Sequence, residues 1–114
     1  MSLKLEPVSV PAEVLALHEQ AGGAELEMFA VARRDGFLRL TVGTEMSDTH
    51  EGRVTHISVS FAASSDPHEA PTRRPNDKEL REVRAHFADL GTFEEDNSRS
   101  DARGLVRHLW SEQD

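Results

Sequence analysis

The stretch ELEMFAVARRDGFLRLTV, residues 25–42, constrains the fold more than any other part of the chain. Leu26, Met28 and Ala30 alternate with Glu27, Phe29 and Val31, while Leu38, Leu40 and Val42 alternate with Arg39 and Thr41. A side-chain period of two belongs to a strand that buries one face. Asp35-Gly36 between the runs is a type I′ turn signal, since both residue types tolerate the positive φ such a turn demands. The expectation is a hairpin of strands 26–33 and 37–42, and therefore a fold organised on an antiparallel sheet.

The rest of the chain fills in around that hairpin. GTEMSDTHEG, residues 43–52, reads as a polar loop, and RVTHISVSF supplies a third strand over 54–61. On it Thr55, Ile57, Val59 and Phe61 face the core, and Val54, His56, Ser58 and Ser60 form the polar face. A last strand, 105–110, carries the single tryptophan, Trp110, placed to close the core. Residues 62–76 form a long connection rich in proline, serine and charge, of the kind that is either functional or mobile. Within it Arg73-Arg74 reads as an exposed pair making weak surface contacts. The connection ends at a well-signed helix, 77–90. Asn76 and Glu79 have capping-box spacing, and Leu80, Val83, Phe87 and Leu90 make an apolar stripe. Asp77 and Arg81 have the spacing of an i,i+4 ion pair, and Gly91 is a stop. At the N-terminus, SVPAEVLALHEQAGG reads as a short helix with Val10, Val14, Leu17 and Ala21 on one face. TFEEDNSRSDARG is acidic and poorly periodic, with a short strand expected at Thr92 and Phe93 and its acidic run read as exposed. Together these predict a single α+β domain over residues 1–114. It has a mainly antiparallel sheet of about four strands and one long helix packed on a face. The N-terminal helix covers an edge or the other face.

Composition narrows the function classes. The 114 residues include 13 Lys and Arg against 21 Asp and Glu, a net charge of -8 that opposes a nucleic-acid backbone. With no cysteine, thiolate zinc sites, cysteine nucleophiles and disulfides are excluded. No apolar run reaches the roughly 18 to 20 residues of a membrane span, and MSLKLEPVSVP lacks the apolar stretch of a signal peptide. The expected location is the cytoplasm, without membrane contact.

A strand HISVS, a proline-led helix RPNDKELREVRAHF and a closing HLW resemble a family of small uncharacterised phage and bacterial proteins. His56, Ser58 and Ser60, then Pro75, Glu79 and Phe87, and finally His108, Leu109 and Trp110 carry the resemblance, which covers the second half of the chain. Two features depart from it. The helix start reads Pro75-Asn76-Asp77 without a tryptophan, and the acidic EEDNSRSD replaces a proline-rich strand. The resemblance implies a phage or mobile-element accessory role and brings no activity or cofactor.

Two sets of candidate residues follow. His56-Ile57-Ser58 has the His-x-Ser form of a two-histidine phosphoesterase, with His108 as the second histidine. At His108-Leu109-Trp110, however, tryptophan stands where the second hydroxyl should be, so phosphate would be poorly held. The six histidines form neither H-x-x-x-H nor HExxH, and no G-x-S-x-G elbow or glycine-rich phosphate loop is present. No metal or other cofactor is expected. The second set is acidic: Glu94, Glu95, Asp96 and Asp101 could steer a basic protein surface. The leading expectation is a non-enzymatic interaction protein acting through that acidic surface. The alternative is a small phosphoester-directed enzyme or nucleotide-binding module centred on His56 and Ser58. A homodimer through paired edge strands is a variant of the first.

Overall fold

The computed structural model describes residues 3–20, 22–23, 25–46, 53–66, 68–96 and 102–108. Ala21, residues 47–52, Asp101, Leu109 and Trp110 lie outside the described residues. In chain order the elements are β1 (Glu6–Val8), α1 (Ala12–Gln20), β2 (Glu25–Arg33), β3 (Gly36–Met46), β4 (Arg53–Ala62), α2 (Asp77–His86), β5 (Glu94–Asp96) and β6 (Arg103–His108). The six strands form one sheet in the order β1-β2-β3-β4-β6-β5, and every neighbouring pair is antiparallel. The α+β class and the antiparallel sheet are as the hairpin pattern predicted.

The sheet is larger than four strands. β1 and β5 are three residues each, Glu-Pro-Val and Glu-Glu-Asp. Neither is long enough to show an alternation, and proline and acidic residues are poor strand formers. They become strands because the longer β2 and β6 offer them open edges. β3 also runs on through the predicted polar loop, with Gly43, Thr44, Glu45 and Met46 paired to His56, Thr55, Val54 and Arg53. Ladder pairing continues there regardless of side-chain polarity.

The hairpin turn sits one residue earlier than expected. Arg33 pairs with Gly36, which leaves Arg34 and Asp35 as the connecting residues. Among the described residues no non-glycine has positive φ, so this is not a type I′ turn; Gly36 itself takes the positive φ, 158°. A Cβ at Gly36 would come within 2.5 Å of the Ala62 carbonyl oxygen.

Register sorts the sheet into two faces. Leu38 pairs with Val31 and Phe61, Leu40 with Phe29 and Val59, and Ile57 with Val42 and Leu105. Directly opposed residues share a face, so all of these point the same way. This is the core face, and α2 lies on it, adding Leu80 and Val83 to the same buried cluster. The α2 start follows its capping-box spacing: Asn76 Oδ1 accepts from Glu79 N at 2.8 Å, and Glu79 Oε1 accepts from Asn76 N at 2.9 Å. Its end is earlier than the stripe suggested. Phe87 is the C-cap, donating its N–H to Val83 O, and Ala88–Leu90 form a 3₁₀ turn. Phe87 is therefore only partly buried and Leu90 is exposed.

None of the α1 residues is fully buried. Its His18 reaches the sheet on the face opposite α2: Nε2 lies 3.0 Å from the Glu25 carbonyl oxygen, and a Cβ at Gly43 would stand 3.0 Å from the ring. Among the described residues, no helix is long and apolar enough to cross a membrane.

Candidate functional site

The face opposite α2 brings polar side chains together by parity. Arg39 stands opposite Ser60, Thr41 opposite Ser58, and Gly43 opposite His56, all on the polar side of β3 and β4. His56 in turn pairs with Val106, and Val54 pairs with His108. The two histidine-bearing strands are thus neighbours, and their histidines are offset by two paired positions. His56 and Ser58 share the face, as the alternation predicted. A Cβ at Gly104 would stand 3.0 Å from His56 Nε2 and 2.7 Å from the Asp96 carbonyl oxygen. Glycine at 104 is what lets the ring and β5 close in together. The carboxylate of Asp96 then comes to 3.8 Å from His56 Nε2. That is longer than a hydrogen bond and amounts to a charge contact when the ring is protonated.

Arg39 is the member of this face that sequence reasoning passed over. The residue is 8% exposed, with Nη1 donating to the Asp66 carbonyl at 2.8 Å and Nε buried with no hydrogen-bond partner. The sequence signal was an arginine at an alternate position of a strand, which ordinarily means a solvated side chain. What buries it is the connection after β4. That connection is anchored by Thr72 N donating to Phe61 O and by a bridge between Phe61 and Arg73. The long loop is therefore held against the sheet.

The basic pair in that loop also differs from its reading as a weak surface pair. Arg73 makes two 2.8 Å hydrogen bonds to the two carboxylate oxygens of Glu79, and its guanidinium lies 3.8 Å above the Phe61 ring. The Glu79 side chain is almost fully buried. The Arg73 hydrogen bonds hold the Glu79 carboxyl below its ordinary value, against the opposing effect of burial. This cluster fixes the start of α2 and is structural.

The acidic candidates lie on β5, the last strand in the sheet order. Glu94 and Glu95 are exposed and Asp96 is half-buried, while Asp101 falls outside the described residues. Glu95 belongs to an ion network: Arg103 Nη2 is 2.9 Å from its Oε2, and Arg84 Nη2 is 3.9 Å from its Oε1. Arg103 Nη1 also reaches Asp77 Oδ1 at 2.7 Å, so Asp77 pairs across space with β6, and no Asp77–Arg81 pair is seen. These hydrogen bonds to Asp77 and Glu95 raise the Arg103 guanidinium above its ordinary value.

Among the described residues no three His, Asp or Glu side chains are grouped to hold a metal ion. No family model matches the chain, and no curated protein or solved structure matches it either. Fold and geometry define its class: a one-helix-covered antiparallel α+β sheet, with a polar opposite face and an acidic outer strand.

Proposed function

We propose that this chain is a non-enzymatic interaction protein of the cytoplasm whose acidic sheet edge docks on a basic protein surface. The resemblance in its second half makes a phage or mobile-element accessory factor the matching role. The observation that supports the reading is β5: three successive carboxylates form the outermost strand, alternating to both faces of the sheet edge. Successive strand residues point oppositely, so Glu94 and Asp96 share the polar face while Glu95 turns to the other side and meets Arg103. In a chain of net charge -8 this favours encounter with cations and resists polyanions. Glu95 is committed to Arg103 and Asp96 stands beside His56, so Glu94 is the residue to change.

The test is the association rate of a lysine- and arginine-rich peptide with the wild-type protein and with a Glu94→Gln variant. Association of the variant slows several-fold at low salt with an unchanged circular dichroism spectrum. The difference closes as the Debye length falls to about 3 Å at 1 M salt. Equal rates at low salt overturn the reading.

Arg39 favours a second reading, the phosphoester-directed or nucleotide-binding one. A buried guanidinium with an unpartnered Nε, on the face that holds Ser58, Ser60 and His56, has the chemistry to meet an anion. Hydrolysis of bis-p-nitrophenyl phosphate that disappears in His56→Ala supports this reading and displaces the first.

A further inference from the structure

One helix cannot cover six strands. Strand axes about 4.8 Å apart put the outer strands of the sheet about 24 Å from one another, whereas a helix is about 10 Å across. α2 sends Leu80 and Val83 into the core cluster and leaves a gap beside β2 and the residues leading into β1. The result is a groove of about 1020 Å³ between α2, β2 and the residues leading into β1. Leu3, Val31, Ala32, Ala85 and Ala88 supply its apolar lining.

The charge around the groove runs against that of the molecule. Lys4, Arg33, Lys78, Arg81 and Arg84 line it, opposed by Glu6 and Glu82. Five of the chain's 13 cations thus collect at one groove of a chain of net charge -8. Arg33 Nη2 stands 2.9 Å from Glu82 Oε1, and Arg84 approaches Glu95. Among the described residues, Lys4, Lys78 and Arg81 have no carboxylate within ion-pair distance. An occupant of this groove should carry apolar side chains flanked by carboxylates.

The chain itself carries such an element. α1 reads AEVLALHEQ: it holds Glu13 and Glu19, no lysine or arginine, and no buried residue. Val14 and Leu15 are each 37% exposed and Leu17 is 66% exposed, which makes three large apolar side chains on nine residues. A helix that short is marginal without an apolar face to pack against. The groove lacks a cover, the helix leaves Leu17 largely exposed, and their charges are opposite.

We propose that the groove receives α1 of a second copy of this chain. Leu17 and Val14 enter between α2 and β2, and Glu13 and Glu19 meet the cations of the rim. Reciprocal docking closes a two-fold dimer, and head-to-tail docking extends a chain. Groove and β5 edge meet at Arg84, which the variants of neither test change, so the two proposals are tested independently.

Sedimentation velocity over a concentration series tests it. Wild-type protein self-associates, and Leu17→Glu and Ala85→Trp each weaken the association by about tenfold or more, as loss of a central apolar anchor does. Both positions are exposed in the single chain, so the variants fold, which circular dichroism checks. Mixed, they form a heterocomplex, because the intact α1 of Ala85→Trp meets the intact groove of Leu17→Glu. Raising salt weakens the association further. A wild-type protein that stays monomeric throughout the series overturns the proposal, as does an oligomer that neither variant loosens. Monomeric protein whose groove instead binds dodecanoate assigns the groove to a small anionic amphiphile and overturns it equally.

Discussion

Glu79 shows how one side chain can join local and tertiary structure. Its carboxylate closes the capping box at Asn76 and receives both hydrogen bonds from Arg73, so it ties the first turn of α2 to the strand pairing at Phe61. The capping half was legible from the Asn76–Glu79 spacing, because a cap is local chemistry. The Arg73 half was not, since nothing in the sequence says that a loop arginine will cross to a helix start and lie on a phenylalanine ring. Glu79→Gln keeps the size and the cap acceptor but removes the charge. It should cost about 1.5 to 3 kcal/mol at neutral pH, the range for hydrogen bonds to a charged group. The Glu79 carboxyl lies below its ordinary 4.5 in the folded protein, so its stabilisation is complete above that pH and is lost as pH falls through the lower folded value. Urea unfolding at pH 7 and at low pH should therefore show the wild-type advantage over Glu79→Gln shrinking in acid. An advantage of equal size at both pH values would place the effect in packing alone.

Among the elements, α2 carries the core contacts and its geometry ranks its residues. Leu80 is 3% exposed and Val83 is fully buried, whereas Phe87, at the C-cap, is only partly covered. The apolar stripe treated the three as equivalent. The difference arises because the helix ends at His86 and the chain turns away into the 3₁₀ segment. Leu80→Ala should cost about 2 to 5 kcal/mol as a buried truncation. Phe87→Ala should cost less than that, despite the larger side chain. Denaturant midpoints of the two variants check the order, and a lower midpoint for Phe87→Ala reverses it. The edge strands show a different limit on sequence reading. Glu94–Asp96 has no periodicity to reveal a strand, and it pairs because Gly104 leaves room for the Asp96 backbone.

For the whole molecule, charge placement matters more than the net value. The acidic total predicts that duplex DNA will not bind at physiological salt, since without a continuous basic track little counterion release is available. The groove cations surround an apolar lining, which does not suit a phosphate track. Fluorescence anisotropy with labelled duplex at 150 mM salt is the check, and saturable binding there would contradict it. That the cations would collect at one groove was not legible: Lys4, Arg33 and Lys78 are far apart in sequence, and only the docking of α2 beside β2 makes them neighbours. By itself the sequence determined the class of fold, the central strands, their two faces and the start of α2. Each of these is written in a local period or a local cap, which a few adjacent residues specify. Tertiary structure alone decided the two edge strands, the burial of Arg39, the bridge from Arg73 to Glu79 and the uncovered groove. All four depend on which distant segments meet, and that is settled by the shared burial of many side chains and by no single stretch of them.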